Sequence, residues 1–327
     1  MVALWTVLVA LLGCGGGPRD RDPGRAGPDA PEARRPKAPP PGAKARRRPA
    51  PPAAPGQARD QIVLELAPGY ERTAYLLLPP SYDPQSDKRW PVLYGFHGGR
   101  GRGRGRHLAP SWKDHRDTFI QVFPDGQDLE LGRGAWWSPP GKPTTDEFVA
   151  ALVAEIDRRF ETDPSRRYVA GFSAGALYTY RLVCSSELFH AFAAVSHPML
   201  VETPEVCSLD HPRPFLISSG TADPRHDGHE LNGNTYAPMR DTMAFWAKTN
   251  GCRPTPRETP LPPAEGDRTR PTRFTFEGCR APFRYIEITG AGHTWPGGEA
   301  GPDETGERSR FALSDEIVSF FRDEAQL

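Results

Sequence analysis

The chain has 327 residues, enough for one large domain or two small ones. Its 41 Lys and Arg balance 41 Asp and Glu, so no global field marks it as a nucleic-acid binder. The 38 prolines are unevenly spread, with a dense group before residue 56, and the remainder is closer to ordinary composition.

Residues 2–12 (VALWTVLVALL) form one uncharged apolar run. It is too short to span a bilayer comfortably and fits the core of a secretory signal. Leu11-Leu12-Gly13-Cys14 follows and resembles the lipobox of bacterial lipoproteins. That resemblance implies a signal peptide over residues 1–13, diacylation of Cys14 and a membrane anchor at the bacterial cell envelope. Beyond Cys14, residues 15–58 are mainly Pro, Ala, Gly and Arg with almost no large apolar side chains, which makes 14–58 one segment. Such a segment cannot bury enough surface to offset its ordering entropy, so it is expected to be a disordered tether. A folded catalytic domain is expected over 59–327.

Gln61 to Leu66 and Arg72 to Leu78 read as strands around a Pro-Gly-Tyr turn. Trp90 to Phe96 is a buried strand, and Thr118 to Phe123 is another, ended by Pro124-Asp125-Gly126. Thr144-Thr145-Asp146-Glu147 looks like a capping box. Behind it Phe148, Leu152, Ile156 and Phe160 recur at helical spacing. The strand Arg167 to Ala170 then runs into Gly171-Phe172-Ser173-Ala174-Gly175 and a helix. Phe192 to Ser196, Pro214 to Ser218 and Phe283 to Ile288 are three more apolar runs. Met239, Met243 and Trp246 mark a helix, and Ser314 starts a last one through Phe321. Strands alternating with helices predict an α/β fold, a doubly wound and mostly parallel sheet in a single domain. Ligands on such sheets sit beyond the carboxyl ends of the strands.

Gly-x-Ser-x-Gly between a strand and a helix puts Ser173 on a tight elbow above the sheet. A serine hydroxyl needs a base, and the base needs a carboxylate to fix its tautomer. Asp223 follows the strand PFLISSG, and His293 follows RYIEIT. This is the order Ser, Asp, His expected of a hydrolase sheet. Asp227 and Glu230 are close rivals of Asp223, and Asp210 fits worse because it precedes the strand. His97-Gly98-Gly99 ends another strand, which offers the Gly99 and Ala174 amides as an oxyanion hole. Cys184, Cys207, Cys252 and Cys279 are an even number in an exported chain, which suggests two disulfides. Of the three pairings, Cys184–Cys207 with Cys252–Cys279 closes the two short local loops and is preferred.

Several segments resemble the bacterial LpqC-like poly(3-hydroxybutyrate) depolymerase and feruloyl esterase group of α/β hydrolases. They are YLLLPPSYDP, PVLYGFHGG, DEFVAALVAEI, RYVAGFSAGALYTYRLVC, SSGTADP, FWAKTNGC and GAGHTWPGG. The resemblance implies the α/β-hydrolase fold and secreted esterase activity without a metal or organic cofactor. It also implies Ser173, Asp223 and His293 as catalytic residues, with Gly99 and Ala174 holding the oxyanion. It supports Cys252 and Cys279 as one disulfide. Three positions depart from the group's usual pattern: the Arg-Gly run after Gly99, Ala174 after the nucleophile, and Arg225-His226-Asp227-Gly228-His229 after the aspartate.

Trp137 and Trp295 are expected to line the substrate cleft, with Trp136 beside them. The Arg-Gly run is expected to be a solvated loop, with an anionic substrate as the sharper alternative. Asp223, His226, Asp227 and His229 read as a polar turn rather than a metal cluster. The expected partners are an ester substrate, possibly polymeric, and the membrane reached through Cys14, with no nucleic acid. A peptidase of the same fold and a non-catalytic binding protein on a hydrolase scaffold are the competing readings.

Overall fold

The computed structural model describes residues 59–99, 105–127, 136, 138–207, 212–231, 233–298, 306–325 and 327. The signal and tether expected before residue 59, Cys14 included, lie outside the described residues, as do residues 100–104 of the Arg-Gly run 99–107, Trp137 and Asp210. The strands in chain order are β1 (Arg59–Ala67), β2 (Tyr70–Leu77), β3 (Trp90–Phe96), β4 (Ile120–Pro124), β5 (Thr162–Phe172) and β6 (Ala191–Val195). They continue as β7 (Phe215–Gly220), β8 (His229–Leu231), β9 (Asn234–Tyr236), β10 (Arg257–Pro260), β11 (Arg270–Thr275) and β12 (Phe283–Thr289). The helices are α1 (Thr145–Arg159), α2 (Ala174–Ser185), α3 (Thr203–Val206), α4 (Met239–Thr249) and α5 (Leu313–Glu324).

Ten strands form one sheet in the order β1-β2-β4-β3-β5-β6-β7-β12-β11-β10. The run from β4 to β12 is parallel, and both flanks are antiparallel. Alternation along the central strands shows why the sheet must be covered twice. Val92, Tyr94, Phe96, Val169, Phe192, Phe215 and Ile217 face one core, with the apolar sides of α1, α2 and α4. Leu93, Tyr168, Ala170, Ala193 and Leu216 face the other, with Ile317, Phe320 and Phe321 of α5.

Local signals set the helix starts. Thr144 Oγ1 accepts from the Glu147 amide at 3.2 Å, and Glu147 Oε2 accepts from the Thr144 amide at 2.6 Å. This is the reciprocal box read in the sequence, worth about 1 kcal/mol. Two disulfides staple the periphery: Cys184–Cys207 joins the end of α2 to the end of α3, and Cys252–Cys279 joins the end of α4 to the β11–β12 turn. Strand β10, at the edge of the sheet, and β11 beside it are absent from the sequence reading; their side chains are mostly exposed or part-exposed, so they carry no apolar run. No helix among the described residues is long and apolar enough to cross a membrane.

Candidate active site

The site forms where β3, β5, β6, β7 and β12 present their carboxyl ends. Ser173 sits between β5 and α2 with φ 54° and ψ −115°, a conformation that non-glycine residues rarely adopt. The flanking glycines allow it. A Cβ on Gly175 would stand 2.0 Å from the Phe96 carbonyl oxygen, and one on Gly171 would stand 2.2 Å from the Gly175 carbonyl oxygen. No side chain fits at either position, so helix α2 lies directly against the end of β3. The Ser173 amide donates to the Val195 carbonyl at 2.9 Å, which ties the elbow to β6.

His293 follows β12 and is 3% exposed. Its Nδ1–H donates to Asp223 Oδ2 at 2.6 Å. A carboxylate can only accept, so the proton sits on Nδ1 and Nε2 presents a lone pair. That nitrogen lies 2.9 Å from Ser173 Oγ, whose hydroxyl donates to it. Asp223 is itself buried. Burial alone would raise its carboxyl, but the hydrogen bond and charge of His293, with the Arg225 amide and guanidinium, hold it below the ordinary 3.8. The Arg225 amide reaches Asp223 Oδ1 at 3.0 Å and its Nη1 reaches the same oxygen at 3.3 Å. Of the carboxylates weighed from the sequence, it is Asp223 that meets His293, while Asp227 and Glu230 are exposed.

The loop after β3 closes the site. A Cβ on Gly98 would lie 3.2 Å from Ser173 Cβ, and one on Gly99 would lie 3.6 Å from Ala174 Cβ. Gly99 and Ala174 are therefore neighbours beside the serine. The Ala174 amide begins α2, where a helix supplies no acceptor of its own. His97 Nδ1–H donates to the Gly98 carbonyl at 2.7 Å, and His97 Nε2 accepts from the Gly126 amide at 2.9 Å.

Two tryptophans expected at the cleft have other work. Trp295 is 0% exposed, its Nε1–H donates to Ser314 Oγ at 3.1 Å, and it packs 5.6 Å from Trp112. It holds the histidine loop onto α5 and does not line the cleft. Trp136 is 5% exposed, stacks on Tyr178, and its Nε1–H donates to the His97 carbonyl at 3.0 Å. Sequence reasoning also missed Ser196, whose φ is 56° and whose Oγ–H donates to the Thr294 carbonyl at 2.8 Å. Its position just after β6 was the available signal. The signal for Arg225 is its place in the segment after Asp223 that departs from the group's pattern. Among the described residues, no group of three or more His, Cys, Asp or Glu side chains is placed to hold a metal ion.

No family model matches the chain. Feruloyl esterase C of Emericella nidulans is 26% identical over 250 residues, covering 72% of this chain and 83% of its own length. Feruloyl esterase B of Piromyces equi is 26% identical over 241 residues, covering 66% of this chain and 42% of its own. The chain spans about half the length of the first curated relatives it matches. Among solved structures, the acetyl xylan esterase from Aspergillus awamori superposes with a TM-score of 0.53 at 15% identity, over 80% of this chain and 99% of its own. In fold the chain is an α/β hydrolase, and the relatives its sequence matches are esterases.

Proposed function

We propose that the protein is an exported carboxylic-ester hydrolase that works through an acyl-enzyme. The observation that carries this reading is the hydrogen-bonded chain Ser173–His293–Asp223. Ser173 Oγ attacks the ester carbonyl while His293 Nε2 takes its proton. Asp223 keeps the proton on Nδ1 and stabilises the imidazolium that forms. The carbonyl oxygen, becoming an oxyanion, is met by the Gly99 and Ala174 amides, each worth about 3 kcal/mol by the usual deletion measure. His293 then protonates the leaving alcohol, activates water and returns the acid.

The names of the relatives support feruloyl or acetyl esters of polysaccharide as substrates. The depolymerase resemblance adds hydroxyalkanoate polyesters. Export and anchoring through Cys14 rest on the apolar run before it, and the two disulfides agree with an oxidising compartment. A fluorophosphonate probe should label Ser173 and fail on Ser173→Ala. Methyl ferulate, acetylated xylan and hydroxybutyrate oligomers then rank the substrates. An unlabelled wild-type protein would overturn the hydrolase reading in favour of a binding role.

A further inference from the structure

The Pro124-Asp125-Gly126 turn at the end of β4 takes no part in the proposed chemistry, yet it is built tightly into the loop beside it. The Asp125 carboxylate accepts the Thr73 hydroxyl at 2.5 Å through Oδ2 and the Gly105 amide at 2.6 Å through Oδ1. Its own amide donates to the Thr73 carbonyl at 2.8 Å, and its carbonyl accepts Arg72 Nη2 at 3.0 Å. Arg72 is 5% exposed, and Asp125 and Thr73 are half-buried beside it. The next residue, Gly126, gives its amide to His97 Nε2. That contact requires a lone pair on Nε2, so the His97 proton is on Nδ1, where it meets the Gly98 carbonyl.

The consequence lies in peptide geometry. No peptide bond among the described residues is cis. In a trans peptide the carbonyl of one residue and the amide of the next point in opposite directions. Holding the Gly98 carbonyl on the His97 ring therefore turns the Gly99 N–H the other way, away from the imidazole. The Trp136 indole fixes the His97 carbonyl from a second direction.

We propose that Asp125 is a positioning residue for the oxyanion amide: by gripping Thr73 and Gly105 it sets the Gly126 amide against His97, and His97 fixes the Gly98–Gly99 peptide. The inference rests on the esterase reading, and the wild-type enzyme's labelling by fluorophosphonate tests that reading separately.

The test compares Asp125→Ala, Asp125→Asn and Thr73→Val with wild type on p-nitrophenyl acetate. Asp125→Ala should lower kcat by about 10- to 100-fold with KM within about twofold, less than outright loss of an oxyanion donor. Affinity for an alkyl boronic acid, which forms a tetrahedral adduct on the serine, should fall in step with kcat/KM. Asp125→Asn should recover part of the loss, because its amide oxygen can still accept from Gly105. Thr73→Val removes one bond to the carboxylate and keeps the side-chain shape, so it decides the matter if the Ala variant does not fold. It should lower kcat and boronate affinity together by a few-fold. Unchanged kcat in the soluble variants, or a fall in kcat with boronate affinity intact, would overturn the proposal.

Discussion

His197, two residues past β6, makes a prediction about acid stability that owes nothing to the proposed chemistry. Its ring is 4% exposed, lies 4.8 Å from Tyr236 and 5.3 Å from His229, and gives its Nδ1–H to the Pro198 carbonyl at 2.9 Å. Burial pushes its pKa from 6.5 down to about 3, against the upward pull of the Pro198 carbonyl, and the charges of His229, Arg225 and His293 push down with it. The sign follows from proton counting. Between 6.5 and about 3 the unfolded chain binds a proton that the folded protein refuses, so stability falls as pH falls through that window. At 1.36 kcal/mol per unit, the group costs about 2 kcal/mol between pH 7 and pH 5. His190 and His229 are lowered by burial as well and add the same sign. His197→Asn isolates the one group, since the Asn amide can still donate to Pro198 and does not titrate. Its cavity cost is nearly independent of pH, so the readout is the slope. Urea unfolding with the disulfides intact, taken from pH 7 to pH 5, should show the variant losing about 2 kcal/mol less than wild type. Parallel slopes for the two proteins would refute the argument that burial holds this imidazole neutral.

Two further substitutions probe the site itself. Asp223→Asn should lower kcat by about four orders of magnitude by allowing the wrong His293 tautomer, while Asp227→Asn, exposed in the neighbouring turn, should stay within about threefold. Steady-state rates on p-nitrophenyl acetate decide, and the reverse pattern would reassign the acid. Asp223→Asn should also flatten acid unfolding below 3.8, because a carboxyl held under that value stabilises the fold above it, and that stability is lost as pH drops through the lowered one. Gly175→Ala forces a Cβ to within 2.0 Å of the Phe96 carbonyl oxygen and 2.9 Å of the His97 carbonyl oxygen. Backbone cannot yield as a side chain can, so the cost should reach or exceed the usual 1–3 kcal/mol of overpacking, roughly. The melting temperature should fall by several degrees and turnover should fall with it; a variant matching wild type in both would mean that the helix can move away from β3.

The groups proposed to react were legible because each is announced locally. Ser173 lies in a five-residue elbow, and Asp223 and His293 each follow an apolar strand that could be read as one. Chain order then related them without any knowledge of distance. The central strands were legible for the same reason, since burial on both faces writes continuous apolar runs into β3, β6 and β7. The groups that hold the site in place are of another kind. Trp136 reaches His97 across 39 residues, Gly126 reaches it across 29, and Ser196 reaches Thr294 across 98. Nothing in a Trp, a turn Gly or a Ser says which carbonyl or ring it will meet, because the partner is chosen by the sheet order and not by the neighbouring sequence. Trp295 shows the error this invites. Two residues from His293, it looks in the sequence like a cleft wall, but an indole needs a partner for its N–H when buried, and Ser314 of α5 provides one. Proximity in sequence to a reacting residue is therefore weak evidence of contact with substrate. At the end of a parallel sheet every loop leaves from the same place, and each must spend most of its side chains on holding its neighbours.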